Sequence, residues 1–436
     1  MKTEYNNKKV SNDLLDFINR SPSCFHAIKN VTDILDGKGY IRLTEGTRWN
    51  LEKGKGYYVT RNASSVMAFN IPEEDITGFN IAASHSDYPC FKLKDNCVIS
   101  GKEFIRLNTE KYGGMICSTW LDRPLSVAGR VVVKEDGGIK IKLVNVDRDL
   151  LLIPNVAIHM NGKVNDGFQF NAAVDTVPLY GLGGCDKGIK SVVAETAGVN
   201  EDDILGTDLF VYSRMPGTIW GGNDEFISCR SLDDLQCAFA NLEGFLAAGK
   251  SSAVPVFACF DNEEVGSSTK QGAASTFLYD TLRRICINDD EETFRCKLAS
   301  SFLLSCDNAH SVHPNHGEYA DGQNKVIMNG GVVIKFNAAQ KYTTDSVSES
   351  VVKLLCKRGD IPYQVYANRS NMAGGSTLGG IATTKVSINA ADVGLAQLAM
   401  HSSYETAGIE DTACLIELSR IFFETPISAG DNCYEI

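Results

Sequence analysis

Three apolar runs in this chain end directly on residues able to ligate a metal or move a proton. FNIAAS (Phe79 to Ser84) runs into His85, VPVFACF (Val254 to Phe260) into Asp261-Asn262-Glu263-Glu264, and SFLLSC (Ser301 to Cys306) into Asp307. Such runs, alternating along the chain with helical patterns, specify an α/β fold: a mixed, mostly parallel sheet flanked by helices. In an open sheet of this kind ligands bind beyond the carboxyl ends of the strands, so the three junctions are expected to converge on one crevice.

From Ser231 the residues Leu232, Leu235, Phe239, Leu242 and Leu246 recur at helical spacing, which makes Ser231 the expected N-cap and puts Asp233 in the first turn. Further amphipathic helices are expected near Leu14–Leu35 and Thr412–Phe423, and a strand over Ile381–Ile388. Between about Asn96 and Gly217 the pattern changes to short strand-like runs (KIKLVNV, LLIPNVAIHMNG, DLFVYSR) broken by Gly, Asn and Asp, with helical spacing only over Lys187–Ala197. This predicts a strand-rich insertion, residues 96–217, in a domain built from residues 1–95 and 218–436.

Composition narrows the partners. Against 42 Lys+Arg stand 54 Asp+Glu, a net charge of −12, so no basic footprint exists for nucleic acid. No apolar run approaches the roughly 18 residues of a membrane span, and the start, MKTEYNNKKVSND, is polar, so no membrane association and a cytoplasmic location are expected. The 14 cysteines are scattered without a C-x-x-C pair, which reads as reduced, buried small hydrophobes.

With seven histidines in the chain, each can be weighed. His85-Ser86-Asp87 offers an imidazole and a carboxylate that can orient it, or equally a turn with a solvated Asp. Asp261-Asn262-Glu263-Glu264 places three carboxylates after a buried strand, where repulsion and desolvation are costly unless a cation offsets them; a solvated acidic loop is the competing reading. A Glu-Glu pair also divides the labour of metal-assisted hydrolysis, one carboxylate ligating and its neighbour taking a proton. His310 and His313 at i, i+3 could share a helical face, but His316 follows Pro314 and only Asp307 sits at the strand end. Asp307 is therefore the expected ligand, the histidines loop-ordering or substrate-side groups. His401, flanked by apolar residues, is a core histidine unless a metal centre is independently implied. Gly374–Gly380 and Gly181–Gly184 lack the spacing of phosphate-binding loops, and the first reads as a tight turn lining the crevice. No G-x-S-x-G elbow occurs, which disfavours a serine hydrolase. Oxygen and imidazole ligands without thiolate suit a catalytic zinc, manganese or cobalt centre, and two ions fit the count.

The segments SPSCFHA, ASHSDYPCFKLK, TWLDRPLSVAGRV, IPNVAIHMN, DEFISCRSLDD, FDNEEVGSSTKQGA, SCDNAHSVHPN, VVIKFNAAQKY and QLAMHS, in this order along nearly the whole chain, resemble the aspartyl aminopeptidase family of di-zinc exopeptidases, which includes vacuolar aminopeptidase I. The resemblance implies a zinc exopeptidase-like fold whose inserted domain serves dimerisation, with dimers assembling into a tetrahedral dodecamer. It implies His85 and Asp307 on one metal ion, Glu264 and His401 on the other, Asp233 bridging, and Glu263 as general base; Asp87, read from the residues as the carboxylate that orients His85, joins the catalytic set. It further implies that Lys335 meets an acidic first side chain, and that His159 reaches the partner subunit's active site to bond the oxyanion. By spacing alone His159 reads as a strand residue and Lys335 as a side chain snorkelling from a strand edge. Ser86, Tyr88, Asp234 and Asn308 depart from residues common in the family; they spare every ligand and touch the pocket wall.

The expected activity is removal of N-terminal residues, Asp or Glu above others, from short peptides by attack of a di-metal-bridged hydroxide. The alternatives are the same chemistry with a neutral or hydrophobic preference, a related zinc carboxypeptidase or deacylase, and a self-assembling scaffold without activity.

Overall fold

In the computed structural model, which describes residues 5–430 and 433–436, the three apolar runs become neighbouring strands. The first four residues of the polar start lie outside the described residues. A nine-stranded sheet runs Ile41–Leu43, Gly56–Arg61, Ser65–Asn70, Val254–Phe260, Phe79–His85, Phe302–Cys306, Asn389–Gly394, Val332–Phe336, Tyr363–Ala367. Phe79–His85 lies parallel to both Val254–Phe260 and Phe302–Cys306, with Phe260 opposite His85, so the chain leaves the sheet at His85, Asp261 and Asp307 on one side. Every residue of these three strands is buried. Alternation sends Ala82, Phe257 and Leu304 into one core, shared with the helices Leu232–Ala247 and Asp411–Glu424. Ile81, Val256 and Leu303 enter a second core, under the helices Phe277–Ile285 and Leu378–Lys385. Each fully buried Leu, Ile or Phe contributes about 1.5–3 kcal/mol, and burial on both faces holds the strand ends where they are.

A second, antiparallel sheet of six strands runs Gly138–Asn145, Leu125–Glu135, Ile204–Ser213, Cys90–Ser100, Phe104–Tyr112, Leu179–Leu182. Its strand Cys90–Ser100 begins inside the segment expected to belong to the first domain and crosses position 96 without a break. A five-stranded sheet containing Phe226–Cys229, Glu405–Gly408 and Ala309–His310 completes the rim around His401.

Several local expectations are corrected. The stretch 14–35 lies in two helices, Asn7–Asn19 and Cys24–Gly37, because Pro22 interrupts it and the Ser23 side chain caps the second by accepting the His26 N–H. Ile381–Ile388 is not a strand: the helix Leu378–Lys385 occupies it, burying Leu378 and Ala382, and the strand starts at Asn389. The helix packs so closely on Phe302–Cys306 that a Cβ at Gly379 would lie 2.7 Å from the Ser305 Cβ, which requires glycine there. Ser231 sits at the N-cap position with φ 56° but its side chain caps nothing, and Asp233 (φ −81°, ψ 109°) enters the helix in a non-helical conformation. His159 lies in no strand. Pro154 removes a ladder donor, and Ala157 O instead accepts the N–H of both Met160 and Asn161, closing an exposed turn. His310 ends the short strand Ala309–His310, so it shares no helical face with His313. Among the described residues no helix is long and apolar enough to cross a membrane, and none of the cysteines forms a disulfide.

Candidate active site

The two expected imidazole ligands are aimed by the same device. His85 Nδ1 lies 3.0 Å from the Asp87 backbone oxygen, and His401 Nδ1 lies 2.5 Å from the Gly114 backbone oxygen. A carbonyl can only accept, so each Nδ1 carries a proton and each Nε2 is the ring atom turned toward the site, the one that would coordinate a metal ion. His85 Nε2 stands 3.5 Å from Asp233 Oδ1, while His401 Nε2 stands 3.4 Å from both Asp233 Oδ2 and Glu264 Oε2.

Two triads result, His85–Asp233–Asp307 and Asp233–Glu264–His401, each with ligand atoms within 4.8 Å of one another and sharing Asp233. His85, Glu263 and Glu264 satisfy the same distance, so Glu263 stands beside the pair of triads. Asp233 Oδ1 and Glu264 Oε1 are buried without a hydrogen-bond partner. An orphaned carboxylate oxygen carries its full desolvation penalty, at least about 1–3 kcal/mol, and a cation removes it. The donor set of two imidazoles and three carboxylates, without thiolate, fits two zinc ions in catalytic sites.

Electrostatics point the same way. Burial, with Asp307, Asp87 and Asp233 adding to it against His85, pushes the Glu263 carboxyl up to about 8. Burial and Asp233 push Glu264 well above its ordinary range, and burial carries Asp307 to about 6 despite Lys335. Asp233 is buried too, yet the imidazoles of His401 and His85 beside it hold its carboxyl below the usual carboxylate range. Carboxylates this crowded cannot all ionise without added positive charge.

Charged side chains hold the ligands from behind. Asp87, named from the sequence as the group that orients His85, does so through its backbone oxygen, with Oδ1 3.5 Å from Nδ1. Its carboxylate accepts the N–H of Glu263 (3.1 Å), the N–H of Glu264 (3.2 Å) and the Tyr112 hydroxyl (2.7 Å), fixing the Glu-Glu turn. Asp234 Oδ2 accepts the His85 N–H at 3.1 Å. Lys335 is 2% exposed and donates to the backbone oxygens of Asp307 (2.8 Å) and Asn308 (3.3 Å), which rules out a snorkelling edge lysine. Glu405, Tyr112 and Gly114 were not found from the sequence; only the proximity of Glu405 to His401 in HSSYE hints at a role.

These groups line a cavity of about 270 Å³ that exposes His85, Asp233, Glu263, Asp307, Lys335 and His401. His310, Tyr342 and the Gly375–Thr377 segment form its wall; the glycine-rich stretch lines the crevice as expected, but it runs into the helix Leu378–Lys385 instead of closing a tight turn. Larger grooves, of about 440 and 510 Å³, lie over the second sheet and beside Lys250, with no such cluster in them. The exposed His159 is not among the residues that line the cavity.

The family model for Aminopeptidase I zinc metalloprotease (M18) matches residues 17–423. The chain belongs to this family. A "Probable M18 family aminopeptidase 2" of Clostridium novyi is 45% identical over 418 residues, covering 93% of this chain and 96% of its own. A chain of the cryo-EM structure of the Ape4 and Nbr1 complex superposes with a TM-score of 0.93 at 33% identity, covering 97% of this chain and 87% of that one. The Saccharomyces mApe1 dodecamer structure shares the fold, with a TM-score of 0.84 at 24% identity over 96% and 97% of the two chains. The protein is thus a metal-dependent aminopeptidase with zinc as its cofactor, a peptide-bond hydrolase rather than the carboxypeptidase or inert scaffold left open by the sequence.

Proposed function

We propose that this M18 enzyme removes an N-terminal Asp or Glu from short peptides, with the buried Lys335 ammonium on the cavity wall as the observation that carries the preference. His85 and Asp307 would hold one zinc ion, Glu264 and His401 the other, and Asp233 both. The zinc pair, when bound, acidifies water and polarises the scissile carbonyl. Glu263 is the carboxylate beside both triads that faces the cavity, so it takes the proton of the attacking water and returns it to the leaving amine. Asp87 keeps that carboxylate in place through the Glu263 N–H.

Two of the three Lys335 donors are committed to carbonyl oxygens and the Asp307 carboxylate stands 3.8 Å from the ammonium; with Asp307 turned to a zinc ion, the third donor is the one left for an anionic side chain. Replacing Lys335 by Met is expected to lower the ratio of Asp- or Glu- to Leu-substrate hydrolysis roughly 10- to 100-fold, the worth of one hydrogen bond to a charged group. An unchanged ratio at full zinc occupancy would favour the neutral or hydrophobic reading of the pocket.

The second sheet, residues 96–217 in the main, is proposed as a dimerisation domain and the dimers as parts of a dodecamer, the assembly named for the yeast neighbour. Supporting this, the turn bearing His159 is exposed and carries Val156, Ile158 and Met160 at 51%, 49% and 82% exposure, an apolar tip suited to burial against another subunit. His159 would then act across the dimer as an oxyanion donor, worth on the order of 100-fold in rate. Mixed dimers of His159→Ala with Glu263→Ala should regain part of the activity, because one of their two sites has both groups; verified mixed dimers without recovery would count against action in trans. Unpaired cysteines support a reducing, cytoplasmic setting.

A further inference from the structure

The helix carrying the bridging carboxylate has no conventional cap. The first N–H groups of a helix lack partners within it, and a side chain at the N-cap ordinarily accepts the N–H two or three residues on. Ser231 occupies that position without doing so. The acceptor comes instead from a distant strand: Glu405 Oε2 takes the Asp233 N–H at 3.1 Å. The other oxygen of the same carboxylate, Oε1, takes the His401 N–H at 2.7 Å. His401 has φ 68°, a left-handed conformation that a side chain disfavours and that needs an external hold to persist. Glu405 is itself 1% exposed and anchored at the first residue of the strand Glu405–Gly408, opposite Cys229, two residues before Ser231.

We propose that Glu405 is a positioning residue that sets the separation of Asp233 and His401, and with it the affinity of the zinc site built from Asp233, Glu264 and His401. The other buried carboxylates serve differently: Asp234 holds His85 alone, and Asp87 holds the adjacent Glu263 and Glu264. Among these, Glu405 is the one whose carboxylate takes the backbone N–H of two ligands far apart in sequence. The inference rests on the ligand assignment above.

The test is zinc content per chain, measured by elemental analysis after equilibration at graded free zinc. Glu405→Gln keeps the volume but replaces one acceptor oxygen with an amide NH₂ that opposes a backbone N–H. Loss of such outer support typically weakens metal binding about 10- to 100-fold, and a shift of that size is expected for the ion held by His401, with a smaller one for the ion held by His85 and Asp307, which shares Asp233. Asp411→Asn is a matched lesion away from the cavity, since buried Asp411 accepts the N–H of Asn329 (2.7 Å) and of Gly331 (2.9 Å). It should leave both zinc affinities unchanged. His401→Ala should lose one ion outright. Wild-type zinc binding in Glu405→Gln, beside loss of an ion in His401→Ala, would overturn the role of Glu405 alone; two ions retained in His401→Ala would overturn the ligand assignment and this inference with it. Should Glu405→Gln fail to fold, Glu405→Asp, which keeps both oxygens and retracts them by one methylene, carries the same measurement with the same outcomes.

Discussion

Replacing Glu263 by Gln should leave two zinc ions per chain and lower kcat by roughly two to four powers of ten, the usual contribution of a positioned general base. The amide fills the same space and cannot take a proton. The two triads built on Asp233 do not include residue 263, and the Glu263 N–H that Asp87 accepts belongs to the backbone, so the turn keeps its shape. Loss of zinc together with rate would make Glu263 a ligand, and a rate within a few-fold of the parent would remove it from the chemistry.

Asp233→Ala is expected to be more severe, removing both ions and all measurable activity. The side chain supplies an oxygen to each triad, Oδ1 beside His85 Nε2 and Oδ2 beside His401 Nε2. Without it each site keeps two protein ligands, fewer than the three that catalytic zinc sites use. The backbone N–H that Glu405 accepts is retained, so the helix start should survive. Elemental analysis beside an assay on aminoacyl substrates checks both halves; two ions retained, or one ion with substantial activity, would contradict a bridging role.

The convergence of the three strand ends was legible because each signal is local: an apolar run specifies a buried strand, and the residue after it is placed by the sheet. Phe79–His85, Val254–Phe260 and Phe302–Cys306 then needed only to be neighbours, as they are. Glu405 was not legible, since its partners are backbone N–H groups, one of them 172 residues away, and a backbone donor leaves no mark on a sequence. Ile381–Ile388 misled because β-branched residues also populate a short helix when Leu378 and Ala382 have a core to enter. Asp233 was correctly placed at a helix start, but for the wrong reason, since the cap comes from another strand rather than from Ser231.

Tyr112 ends a strand of the second sheet and Gly114 lies two residues beyond it, and they bond Asp87 and His401 respectively. Cutting the insertion out to obtain a smaller, monomeric peptidase would therefore unhook both residues at once. The part that mediates assembly in the proposed dimer and the part that aims the imidazole are stretches of one polypeptide, so an engineer cannot trade one away for the other. By the same coupling, a ligand wedged against the second sheet could act as a remote brake on hydrolysis without ever entering the cavity.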